Sequence, residues 1–117
     1  MAVNTPLNPL PEAPVTHTMA SLSGFRGYCD IDYLKSYFGE HSATIRKICI
    51  CESGQNPNAV LHNSREWSIG LLMINTYAHP EYDKEKLKDP DYNLKAGKEI
   101  LDLQGYGAWR NCYNKIK

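Results

Sequence analysis

No stretch of this chain is apolar for long enough to cross a membrane. Its longest hydrophobic runs, such as Leu71-Leu72-Met73-Ile74, are a few residues long, where a spanning helix needs about 20. Charge of one sign is lacking too: 13 Lys and Arg balance 13 Asp and Glu. Without a basic stripe there is no footprint for nucleic acid, so that class of partner is set aside. The cysteines form no Cys-x-x-Cys pair, and His17, His41, His62 and His79 stand apart, so no metal site is expected. The N-terminus has no basic start followed by an apolar stretch, so no secretory signal is visible. Internal repeats are absent as well.

What is present fits one small domain. At 117 residues the chain has room for a single core. Residues 1–27 carry Pro6, Pro9, Pro11 and Pro14 with no helical or strand period, and read as a tail or linker before a domain over 28–117. The even set Cys29, Cys49, Cys51 and Cys112 in so short a chain reads as two disulfides, which places the protein outside the cytoplasm despite the missing signal.

Helices dominate the pattern. Asp30 caps a short helix through Phe38, with Ile31, Leu34 and Phe38 inward and Gly39 as its stop. Asp89-Pro90-Asp91 is a helix start with a mechanism: a capping Asp, a proline at the first helical position and an acid at the positive end of the dipole. That helix runs 92–104, with Ala96, Ile100 and Leu103 on one side, Leu94 and Leu101 beside them, Gly97 open to a close backbone and Gly105 as the stop. Residues 106–112 form a last aromatic turn or short helix. Between the helices, Asn56 to Ser68 is polar and turn-rich, with room for a small hairpin at most. The fold class is α+β, mainly α, with a small loop or hairpin lobe.

One residue breaks the pattern. With Ser42 as N-cap and Gly54 as stop, Ile45, Ile48, Cys49 and Glu52 fall at i, i+3, i+4 and i+7 of one helix face. Glu52 therefore points inward. A carboxyl among apolar side chains has its charged form disfavoured, so its pKa rises toward the range a general acid needs near pH 7.

Four segments then occur in order: Glu52-Ser53-Gly54-x-Asn56-Pro57-x-Ala59-Val60, Ile69-Gly70-Leu71-Leu72-Met73-Ile74-Asn75, Asp89-Pro90-x-Tyr92-Asn93-Leu94-x-Ala96, and Gln104-Gly105-Tyr106-Gly107-x-Trp109. Together they resemble a lysozyme-like domain of the lytic-transglycosylase type, over roughly residues 28–113. The resemblance implies a lysozyme-like fold, with the run 70–75 as a short buried helix. It implies cleavage of the β-1,4 bond between N-acetylmuramic acid and N-acetylglucosamine in peptidoglycan, with Glu52 as proton donor, by a monomer that needs no cofactor. It also implies substrate contacts at Ser68, Asn75, Gly105 and Tyr106, with Tyr106 against the Glu52 carboxyl, and at Tyr92 among the aromatics bordering the cleft. Trp67, Tyr77 and Tyr82 fall in the same segments. By the same resemblance Cys51 pairs with Cys112, which leaves Cys29 with Cys49.

Ser68 stands where c-type lysozymes hold a second carboxylate, so a double displacement with an Asp nucleophile lacks its residue. Glu66, two residues earlier on what reads as an exposed loop, is the nearest substitute. Lytic transglycosylation, in which the muramic acid's own 6-hydroxyl attacks, is the expected route. Hydrolysis of the same bond and an inactive peptidoglycan-binding domain are the alternatives. Met73 replaces a Gln usual in the family, and Ile100 with Leu101 stand where many members have a Tyr, so two polar groups that would orient substrate or water are missing.

Overall fold

A computed structural model describes residues 26–116, so the predicted tail lies almost wholly outside the described residues. The chain order is α1 (Ile31–Phe38), a 3-10 turn (Gly39–His41), α2 (Ser42–Ser53), strands β1 (Val60–His62), β2 (Trp67–Ile69) and β3 (Ile74–Asn75), a 3-10 turn (Lys86–Lys88), α3 (Pro90–Gln104), a 3-10 turn (Gly105–Trp109) and α4 (Arg110–Ile116). It is mainly helical, with one small antiparallel sheet in the order β1-β2-β3.

Two of the helices, α1 and α3, start and stop on local signals. Asp30 accepts from the Asp32 N–H and Gly39 closes α1 at φ 52°. The inner face of α1 is Tyr33, Leu34 and Phe38, with Ile31 only half-buried, because packing against both α2 and α3 turns Tyr33 inward. Asp89 accepts from the Tyr92 N–H ahead of Pro90, and Gly105 ends α3 at φ 67°. Ser42 does not cap α2. The preceding 3-10 turn runs straight into the helix, so Ser42 is already helical and its Oγ donates backward to the Gly39 carbonyl at 2.6 Å.

The core lies between α1, α2 and α3, with Leu34, Phe38, Ile45, Ile48, Leu94 and Ile100 almost wholly excluded from solvent. The run after β2 fills its base: Leu71 and Leu72 are fully buried, but they lie in a turn and not in the predicted helix. Gly70 at φ 85° and Met73 at φ 47° lie outside helical space, and the Met73 N–H closes the turn on the Gly70 carbonyl at 3.0 Å. Fully buried Asn93 on α3 takes the place of helical hydrogen bonds. Its Oδ1 accepts from the Leu72 N–H at 3.0 Å, and its Nδ2 donates to the carbonyls of Ile69 and Leu87 at 2.9 Å each. A side chain at position 70 would collide with Asn93 and the Leu87 carbonyl, so only glycine fits. The predicted close approach at Gly97 exists, though what fills the space is the Leu72 side chain and not another backbone. Leu103 was expected inward and is 83% exposed, because no neighbouring element covers that side of the last turn of α3, although Leu101 in the same turn is buried.

The disulfides are Cys29–Cys49 and Cys51–Cys112, with Cα separations of 5.7 and 6.0 Å. The second holds α4 against α2 across 61 residues of chain. Replacing Cys51 and Cys112 by serine should lower unfolding stability by about 4 kcal/mol, because the unfolded chain regains the entropy of an open loop. Urea denaturation of the oxidised protein measures it, and a loss under about 1 kcal/mol would contradict the expectation.

Candidate functional site

The site is built on the end of α2. Ile45, Ile48 and Cys49 are buried, and the same helical face delivers a half-buried Glu52 one turn later. Gly54 at φ 62° and Gln55 at φ 69° then reverse the chain in two left-handed steps. The Gln55 Oε1 accepts from the Cys29 N–H at 3.1 Å, so the end of the helix is tied back to the start of the domain. From there Asn56 organises the turn that leads to the sheet: its carbonyl accepts from the Ala59 N–H and its Oδ1 from the Asn58 N–H.

Burial pushes the Glu52 carboxyl up from 4.5 to about 7, the nearby Glu66 charge adds to the rise, and Lys115 on α4 opposes it. At neutral pH Glu52 therefore keeps a substantial protonated fraction. Carbon-13 NMR of the Glu52 carboxyl should show a midpoint near 7, moving up in Lys115→Met, which removes the favourable cation, and down in Glu66→Gln, which removes the repelling anion. A midpoint indifferent to both changes would refute this account of the site.

Glu66 is not on a free loop. It is half-buried, its N–H donates to Asn63 Oδ1 at 3.0 Å, and its carbonyl accepts from the Asn63 N–H at 2.9 Å, which closes the β1–β2 hairpin. Its Oε2 accepts from the buried Ser68 Oγ at 2.6 Å. Residues 66 and 68 share a face because strand side chains alternate, and Ser68 lies opposite Asn75 on β3. Ile69 and Ile74, the neighbours in the same register, point into the core.

The sheet thus brings together Ser68, Asn75 and Glu66. Asn75 holds its own turn, its Oδ1 accepting from the N–H groups of Trp67 and Tyr77. The other expected contacts lie elsewhere. Tyr106 does not lie against Glu52: it bonds His41 Nδ1 at 2.9 Å and Thr44, and stacks on Tyr113 with ring centres 4.6 Å apart. Thr44 precedes Glu52 by eight residues, so Tyr106 stands about 12 Å away along the helix. Gly105, beside it, has open space where a side chain would point. Tyr92, in the first turn of α3, accepts from the Asp83 N–H at 3.3 Å and meets Tyr82 edge-on. Trp67 is covered on one face by His62, stacked at 3.8 Å, and Lys84 also lies over its ring, so little of it is left for a sugar.

Sequence reasoning placed Glu66 on the wrong kind of surface and passed over Lys115. Asn63-x-x-Glu66-x-Ser68 did carry a signal for the first: an Asn set to close a turn, and a hydroxyl two residues along the strand from the carboxyl. Among the described residues no group of three or more His, Cys, Asp or Glu is gathered to hold a metal, and no helix is long and apolar enough to cross a membrane.

Residues 37–110, which span the whole of α2, the sheet and α3, match the model of a family described as a lysozyme-like domain. The chain belongs to the lysozyme-like family. That match covers most of the described residues and supports a glycosidase that acts on peptidoglycan. No curated protein and no solved structure matches this lysozyme-like chain. The family extends from the 3-10 turn's approach to the Trp109 anchor, whose Nε1 donates to the Leu72 carbonyl at 2.7 Å.

Proposed function

We propose that this lysozyme-like domain cleaves the β-1,4 bond between N-acetylmuramic acid and N-acetylglucosamine, with Glu52 giving its proton to the bridging oxygen as the bond breaks. The observation that carries the reading is a half-buried carboxyl at a helix end with its pKa lifted to about 7. It is an acid that still holds a proton where most carboxyls have lost theirs, which is what departure of a sugar through an oxocarbenium-like transition state requires. Ser68 and Asn75, paired across the sheet beside Glu66, are the proposed contacts to the sugars at the cleaved bond. Gly105, Tyr106 and Tyr92 lie on other elements and are proposed to meet sugars farther along the strand. Two disulfides and a wall-degrading family fit work outside the cytoplasm.

The resemblance carries lytic transglycosylation as the route, by attack of the muramic acid's 6-hydroxyl. Hydrolysis is the second route, and the Glu66 charge acting on the Glu52 carboxyl is the observation that favours it. Mass spectrometry of the muropeptides released from purified peptidoglycan tests the proposal. New glycan ends are expected from the wild type and none from Glu52→Gln. A wild type that binds the wall and releases nothing would leave a binding domain in place of an enzyme.

A further inference from the structure

β1 is an outer strand of the sheet, and the bonds at its two ends fix which of its main-chain groups are used. The Gly70 N–H donates to the Ala59 carbonyl at 2.8 Å and the Asn63 N–H to the Glu66 carbonyl at 2.9 Å, so both are bonded pairs of the antiparallel ladder. Bonded and unbonded pairs alternate along such a ladder, which makes Leu61 with Ser68 the next bonded pair and turns the N–H and C=O of both Val60 and His62 away from β2. Among the described residues nothing pairs with those outward groups. Open edges are ordinarily blunted by charge or proline. Val60-Leu61-His62 is short but holds no proline and no Lys, Arg, Asp or Glu, and Val60 and Leu61 are 49% and 46% exposed.

The same strand leads into the site. Leu61, Ser68 and Asn75 stand opposite one another on successive strands, so their side chains form one row on one face of the sheet. That row runs from the proposed sugar contacts straight to the open edge, in steps of about 4.8 Å. Arg65, exposed at the hairpin turn three residues after His62, sets a cation at the end of the edge.

We propose that the outer edge of β1 binds the peptide carried by the muramic acid, as an added strand whose amides pair with the main chain of Val60 and His62, so that the domain selects peptide-bearing glycan over bare strands. This rests on Ser68 and Asn75 being the sugar contacts. An added strand lies two steps from Ser68, about 10 Å, a span that the lactyl group and the first peptide unit cover together. Leu61 stands between, with its half-exposed side chain turned to the lactyl methyl. Strand addition takes its affinity from main-chain hydrogen bonds. It therefore needs only one or two amides, whatever side chains or chirality the peptide has. Arg65 suits a peptide that carries free carboxylates.

Wild type should cut peptide-bearing glycan about tenfold or more faster, in kcat/KM, than the same glycan stripped of peptide by an amidase, the worth of one or two main-chain hydrogen bonds. Val60→Pro removes an outward N–H without touching the β1–β2 bonds, and it should bring that ratio close to one. A fold-safe reading comes from Glu52→Gln labelled with nitrogen-15 and titrated with a soluble disaccharide-peptide. The amide signals of Val60 and His62 should move, that of Leu61 should move much less, and the bare disaccharide should leave Val60 and His62 in place. Equal rates on the two glycans, or Val60 and His62 amides indifferent to the peptide, would overturn the inference. So would amides that move with protein concentration alone, since the edge would then pair with a second copy. The two readings fail separately. If wild type cuts neither glycan while the Val60 and His62 amides still answer to the peptide, cleavage is wrong and the edge stands, and if it cuts both alike, only the edge is wrong.

Discussion

Glu52→Gln is expected to reduce glycan cleavage by about 10³-fold or more while the protein stays folded and still holds the glycan. The substitution keeps the shape and one hydrogen-bond donor but removes the proton that can be given away, and general acid catalysis is worth about 10²–10⁴-fold. The same variant carries a second, independent signature in stability. The folded-state pKa of Glu52 lies above its unfolded value, so the folded protein binds more protons between pH 4.5 and about 7, and its stability falls as pH rises through that window. Glutamine does not titrate. Relative to wild type, Glu52→Gln should therefore gain nothing extra below pH 4.5 and a growing margin up to pH 7, levelling at roughly 1–2 kcal/mol once solvent screening at a half-buried site is allowed for. Urea denaturation at pH 4 and pH 8 reads it directly. A stability difference that is the same at both values would mean that Glu52 is not held as described, whatever the activity does.

Asn93→Ala is expected to be the most damaging single change to the fold. Asn93 is 0% exposed and serves three backbone groups at once, on the strand end, the turn and the 3-10 segment before α3. Alanine leaves the Leu72 N–H and the carbonyls of Ile69 and Leu87 buried without partners, at about 1–3 kcal/mol apiece. The sum is on the order of 3–9 kcal/mol, a fall in thermal midpoint of at least roughly 12 °C for a domain of this size. By contrast Asp102→Ala removes the exposed Lys98–Asp102 pair, 2.8 Å apart on the surface of α3, and should change stability by no more than about 0.5 kcal/mol. The two variants side by side separate a buried polar anchor from a surface ion pair. An Asn93→Ala midpoint within about 4 °C of wild type would show that the turn is held by something other than Asn93. Because that turn joins β2 to β3, its loosening would also disturb the register that sets Ser68 opposite Asn75.

The helices could be read locally because their determinants are local. Asp30 with Gly39, and Asp89-Pro90 with Gly105, each fix a terminus within a few residues of chain. The inward face of α2 followed from helical spacing alone, and Glu52 with it. Leu103 shows where that logic stops. The period continues to the end of α3, where Leu101 is still buried, but no neighbouring element covers the side that carries Leu103, and an apolar residue in register with a core can still face water. The pairing of Cys51 with Cys112 and of Cys29 with Cys49 came from the resemblance, since four cysteines in a sequence leave three pairings open.

Ser42, the run 70–75 and Tyr106 were beyond local reading for a different reason. Each is decided by a partner distant in sequence or by the shape of the preceding turn. Leu71-Leu72-Met73-Ile74 has the apolar character of a buried helix or a buried strand, and the choice fell to Asn93, some twenty residues on, whose amide replaces the helical bonds. Tyr106 was expected at the carboxyl and is found with His41 and Tyr113, because the 3-10 turn after α3 delivers it to the start of α2 and not its end.

By itself, then, the amino-acid order determined where α1 and α3 begin and end, that an acid sits on an apolar helical face, and to which family the motifs point, because caps, periodicity and spacing act within a few turns of backbone. The tertiary structure alone decided what surrounds that acid. The charge of Glu66 on the β1–β2 hairpin and the opposing Lys115 on α4 come from two elements distant from α2 in the chain, and electrostatic neighbours at a site are set by distance in space, which the order of residues does not carry.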